Sequence, residues 1–111
     1  MNKYHARRTQ GIHGIWFRSV SEASYAQELE LRRHAADPHE RVETWAYEVT
    51  FYLPTIHHKP QYVKHVVDFW VRWGDGRDCL VEVKGKDTPA GRVKRLWLET
   101  YLSEPITVIW V

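Results

Sequence analysis

From Val20 to about His34, Ala23, Ala26 and Leu29 recur at the spacing that puts side chains on one helical face, and Ser19 ahead of them suits an N-cap. The spacing predicts a first helix. From Thr44 to Leu53 the period falls to two: Trp45, Tyr47, Val49, Phe51 and Leu53 alternate with Thr44, Glu48 and Thr50, as in a half-exposed strand. Pro54 to Gln61, with two prolines and two histidines, reads as a loop. Tyr62 to Trp73 and Arg77 to Lys84 are rich in Val, Phe and Trp and flank Gly74-Asp75-Gly76, which predicts a hairpin. Thr88-Pro89 opens a second helix reaching about Leu102, with Val93, Leu96, Trp97 and Tyr101 on one face. Beyond Pro105, Ile106 to Val111 is a last β-branched strand, and the first fifteen residues, with Gly11 and Gly14, read as an arm. The order is helix, three strands, helix, strand. With no repeat and no linker, residues 1–111 are expected to form one α/β domain.

Composition narrows the setting. A hydrophobic fraction of 43% with 27% charged residues is that of an ordinary globular domain. No apolar run is long enough to span a bilayer and the amino terminus lacks the apolar core of a secretory signal, so a cytoplasmic protein is expected, with no membrane partner. Cys79 is the single cysteine, which rules out an internal disulfide and fits a reducing compartment. Net charge is +2, but the basic residues group as Lys3, Arg7 and Arg8, as Arg32 and Arg33, and as Arg92, Lys94 and Arg95. An acidic partner fits that grouping, although any one cluster alone reads equally as a solvated face.

The hairpin carries the chemistry. A Glu82-Val83-Lys84 triplet means little alone, because 14 acids and six lysines in this length yield such a pair roughly 0.8 times by chance. Its context decides. With a three-residue loop and Gly76 in the left-handed position, Trp73 faces Arg77 and, further in, Asp68 faces Glu82, while Lys84 projects from the same face. A four-residue loop would turn Glu82 and Lys84 away from Asp68. Two adjacent carboxylates repel unless a cation lies between them, and hard oxygen donors suit Mg²⁺ or Mn²⁺. Such an ion would polarise a phosphodiester and acidify a water, with Lys84 orienting that water or balancing the developing charge. The bland alternative is an exposed Glu82–Lys84 pair of little consequence. Against it, Val66, Val67, Phe69, Val71, Leu80, Val81 and Val83 surround the charges, and charge in so apolar a setting needs a reason.

Other residues admit two readings. Glu22 shares a stripe with Ala26 and Leu29 and could face inward as a further ligand, yet Ser19-Val20-Ser21-Glu22 equally fits a capping box. Arg92, Lys94 and Arg95 lie in the first turns of the second helix, where DNA phosphate contact competes with plain solvation. Trp16 is the one tryptophan with a case for base contact, and His57-His58 lacks the spacing of a zinc site.

The stretches Asn2 to Thr9, Phe17 to Ala23, Val67-Asp68-Phe69, Asp75-Gly76-Arg77, Val81 to Gly85 and Thr88 through Arg95 together resemble a phage-encoded PD-(D/E)xK nuclease family over nearly the whole chain. The resemblance implies the restriction-endonuclease-like core of that superfamily, order α-β-β-β-α-β, with a mixed sheet flanked by helices. Similarity to the archaeal-type Holliday junction resolvases implies a homodimer that cuts branched DNA with Mg²⁺ in the host cell. It implies catalytic roles for Glu22, Asp68, Glu82 and Lys84, and metal ligation by Asp68, Glu82, the Val83 backbone carbonyl and Glu22. Lys94 matches the basic position on the second helix, and Lys3, Arg7, Arg8, Arg18, Arg92 and Arg95 complete the expected DNA contacts. Val67 stands where the superfamily's name has proline, a position that bears no ligand. A less selective DNA nuclease and a catalytically inactive DNA-binding module are the alternatives, because one fold serves many functions.

Overall fold

Gly11 has no room for a side chain, since a Cβ there would lie 2.9 Å from the ring of Phe17. The close approach belongs to a short antiparallel ribbon, β1 (Thr9–Gln10) and β2 (Trp16–Phe17), joined through a single 3₁₀ turn at Ile12–Gly14. The expected arm is therefore corrected from Thr9 onward: two-residue strands are too short to show a period. The computed structural model describes residues 7–56 and 61–111.

Helix α1 (Val20–Arg32) begins as predicted at Ser19, whose hydroxyl accepts the Glu22 N–H at 3.1 Å and so satisfies one of the donors a helix start leaves open. Ala23, Ala26 and Leu29 are its buried stripe. Strand β3 (Val42–Pro54) is followed by β4 (Tyr62–Trp73) and β5 (Asp78–Lys84). The β4–β5 loop has the three-residue form: the Trp73 N–H donates to the Arg77 carbonyl at 2.9 Å, the Gly76 N–H to the Trp73 carbonyl at 2.9 Å, and Gly76 sits at φ 93°. Only glycine adopts that conformation freely.

Helix α2 (Pro89–Leu102) has Thr88 as its N-cap, accepting the Gly91 N–H at 3.1 Å. It forms the crossover from β5 to β6 (Thr107–Trp110), which pair in parallel with Glu82 beside Val108 and Lys84 beside Trp110. The sheet order is β3-β4-β5-β6, so the protein is α/β with a mixed four-stranded sheet and two helices. No helix among the described residues is long and apolar enough to cross a membrane.

The chain gathers into two compact units. The first comprises Met1–Trp45, Val71–Asp78 and Val111; in it Phe17 is fully buried, and the Trp45 indole N–H donates to Glu30 at 2.7 Å. The second comprises Ala46–Trp70 and Cys79–Trp110, with Leu53, Val67, Leu80, Leu98 and Ile106 as its core. The inward face of α2 differs from the one expected. Val93, Leu96 and Tyr101 are exposed, whereas Arg95 and Leu98 are buried and Trp97 and Leu102 half-buried. A count of apolar positions puts an arginine outside; here an acid partner brings Arg95 in.

Candidate functional site

Along β5 the side chains alternate, so Leu80, Glu82 and Lys84 share a face and Val81 and Val83 take the other. Leu80 belongs to the core built around Leu98 of α2, which identifies that face. Near the loop the pairing follows the sequence expectation, with Arg72 reaching across to Asp78 at 2.9 Å. Deeper in, β4 is covered on both faces: Val67, Asp68 and Phe69 are buried in succession, as Leu80, Val81 and Glu82 are on β5, and Val67 and Trp70 pack on the Leu98 cluster.

His65 of β4 meets Glu82 of β5. The His65 Nε2 lies 2.7 Å from Glu82 Oε1, with both side chains buried. Asp68, also buried, accepts the Val83 N–H on Oδ2 at 2.8 Å, which ties its carboxylate to the residue between Glu82 and Lys84. Glu82 is 1% exposed, and its Oε2 has no hydrogen-bond partner among the described residues. Lys84 Nζ and Arg95 Nη1 face that oxygen at 3.6 and 3.7 Å, too far to bond it. Burial alone pushes the Glu82 carboxyl up, but the His65 hydrogen bond and the charges of Lys84 and Arg95 outweigh it and hold the group below its ordinary value. Glu82 is therefore ionised at neutral pH. A buried ionised oxygen without a hydrogen bond is costly, and the Lys84 and Arg95 charges offset only part of that cost.

Asp87 and Arg95 close the arrangement. Arg95 donates to both Asp87 oxygens, at 3.1 and 2.8 Å, and that hydrogen bond holds Asp87 below the usual carboxylate range. Arg95 is only 8% exposed, so its expected place among solvent-facing DNA contacts is corrected: its fork is engaged by an acid on the same unit. A Cβ at Gly91 would stand 4.0 Å from Lys84 Nζ, so the amine lies beside the first turn of α2.

Asp68, Glu82, Val83 and Lys84 thus lie together in the second unit, and Glu22 lies in the first. Glu22 is buried, takes the Ser19 hydroxyl on Oε2 at 3.1 Å, and has Arg18 at 4.0 Å from Oε1. The Ser19–Glu22 link of a capping arrangement is formed, through the Ser19 hydroxyl. Arg7 and Arg8 are exposed, with the Arg8 guanidinium 5.9 Å from the centre of the exposed Trp16 ring. Arg92 is exposed and reaches Asp87 at 3.4 Å, Lys94 is half-buried, and Lys3, like His57 and His58, lies outside the described residues. Sequence reasoning missed His65 and Asp87. The signal for Asp87 was an acid just ahead of a capped helix carrying a basic residue two turns on; none pointed to His65.

Among the described residues no group of three or more His, Cys, Asp or Glu side chains forms a ready-made metal cage. The donors present are the hard oxygens of Asp68, Glu82 and the Val83 carbonyl, and Mg²⁺ characteristically takes one or two carboxylates and completes its shell with water and phosphate. The residues fit that ion, and the orphaned Glu82 oxygen is the observation that says so. A family model described as "Protein of unknown function (DUF1064)" matches residues 1–111. The chain belongs to the DUF1064 family. No curated protein and no solved structure matches it. In this DUF1064 chain Asp68 lies on β4, and Glu82, with its orphaned oxygen, and Lys84 lie on β5.

Proposed function

We propose that the protein is a metal-dependent DNA endonuclease with a PD-(D/E)xK core, acting as a homodimer on branched DNA. The observation that carries this reading is the buried, ionised Glu82 with one oxygen left without a hydrogen bond and Lys84 beside it. The element order from α1 to β6, with the last strand parallel to β5, supports the core, and the motif resemblance supports the substrate.

Asp68, Glu82 and the Val83 carbonyl would hold Mg²⁺, with Mn²⁺ as a substitute. When bound, the ion supplies the charge that polarises a phosphodiester and lowers the pKa of a water. The remaining work belongs to the chain. Asp68 is fixed by the Val83 N–H, so its carboxylate enters the reaction already oriented. Lys84, half-buried beside the first turn of α2, provides a cation and nearby helix-start dipoles where charge develops on the phosphate. Arg7, Arg8, Arg18, Arg92 and Lys94 position the DNA backbone, and two copies of the chain supply the two cuts that resolve a four-way junction.

The test is cleavage of a labelled four-way junction. Mg²⁺-dependent incision is expected, with plain duplex cut poorly and Asp68→Ala inactive. Full activity of Asp68→Ala would end the site assignment, and equal cutting of duplex would leave a nuclease without the junction preference.

A further inference from the structure

We infer that His65 is a positioning residue for the metal, acting through Glu82: it holds Oε1 and leaves Oε2 as the single oxygen that Glu82 presents to the ion. The inference rests on the proposed metal site and adds to it a residue outside the motif.

A carboxylate that ligates a metal carries no proton, so with Glu82 as a ligand the 2.7 Å contact has the imidazole Nε2–H as donor and Glu82 Oε1 as acceptor. The two side chains are 9% and 2% exposed, so water does not compete for the bond. The two oxygens of one carboxylate are thereby made unequal, since Oε1 is bound and Oε2 is not. A buried histidine is often no more than a satisfied core residue. Here, though, its partner carries the one orphaned buried side-chain atom among the described residues.

The chemical consequence is selectivity. Mg²⁺ and Mn²⁺ favour compact octahedral shells with one oxygen from each carboxylate, whereas Ca²⁺ is larger and readily takes a carboxylate through both oxygens. With His65 on Oε1, Glu82 is kept one-handed and the smaller ions are favoured. Without it, Glu82 is free to use both oxygens. Partners that orient a metal ligand in this way are typically worth 10- to 100-fold in metal affinity.

The experiment measures Mn²⁺ and Ca²⁺ binding to the full chain by calorimetry, with melting curves taken on each variant. Glu82→Gln is expected to abolish Mn²⁺ binding; if it binds as the unmodified protein does, the metal site itself is wrong and the inference falls with it. With the site standing, His65→Ala is expected to weaken Mn²⁺ about tenfold or more and Ca²⁺ less, raising the Ca²⁺/Mn²⁺ affinity ratio several-fold. His65→Leu, which keeps bulk without a donor, should behave as His65→Ala, and His65→Gln, whose amide N–H can replace the ring N–H, should stay within about threefold of the unmodified protein. Unchanged Mn²⁺ binding in the donor-less variants, a parallel loss of both ions, or a Gln variant no better than Leu would overturn the role of His65.

Discussion

The β4–β5 hairpin bears two clusters of charge that differ in one respect. At the loop, Asp75 takes the Arg77 guanidinium at 2.7 Å, the Arg77 backbone N–H at 3.1 Å and His39 at 2.9 Å, while Arg72 and Asp78 form a two-bonded pair beside it. Both Asp75 and Asp78 are held low, the first chiefly by the Arg77 backbone N–H and the second by Arg72. Every charge there is answered, and water screens the remainder. Farther along the strands, Glu82 is also held low, yet one of its oxygens is left unbonded in the protein interior. At the turn the charges are joined by hydrogen bonds; at Glu82 two cations stand within ion-pair range of a buried oxygen that no hydrogen bond completes.

That difference can be broken or sharpened experimentally. The largest effect should come from neutralising one acid in each cluster: Glu82→Gln is expected to reduce cleavage on the order of 10³-fold or more, and Asp75→Asn to leave it within about twofold, as read by single-turnover kinetics on a junction substrate. Equal losses would erase the distinction. An intermediate effect is expected on folding. Arg95→Ala leaves Asp87 and Glu82 without their buried cation and should lower Tm by about 5–10 °C, whereas Arg72→Ala removes an exposed pair and should shift it by less than about 2 °C in the same thermal scan. The smallest effect is on acid stability. Glu82 has its folded pKa below the ordinary 4.5, so its stabilising contribution is complete above that pH and is lost as pH falls through the folded value. Denaturant titrations from pH 6 down to about pH 3 should therefore show a shallower loss for Glu82→Gln than for the unmodified protein.

Much of the fold could be read from the chain because its signals are local. Ser19 and Thr88 cap their helices through their own hydroxyls, and Gly76 supplies the left-handed residue a three-residue loop requires. Those signals also brought out the hairpin with Asp68, Glu82 and Lys84. What stayed hidden depends on partners distant in sequence. Arg95 is buried because Asp87 and Glu82 meet it, which reverses the face of α2 that hydrophobicity alone selects. His65 reaches Glu82 across a separation of 17 residues, which no local pattern announces. The β1–β2 ribbon escaped for a plainer reason, being too short for any pattern.

Gly76 has a further consequence for how the gene can vary. The loop acts as a phase setting for the strand after it: adding or removing one residue would invert the two faces of β5, sending Glu82 and Lys84 where Val81 and Val83 now point. A change of two would restore the faces and merely slide the pairs. Length variation at Gly74-Asp75-Gly76 should thus be tolerated by parity, in steps of two, and a single inserted codon there would do more harm than most substitutions in the strands themselves.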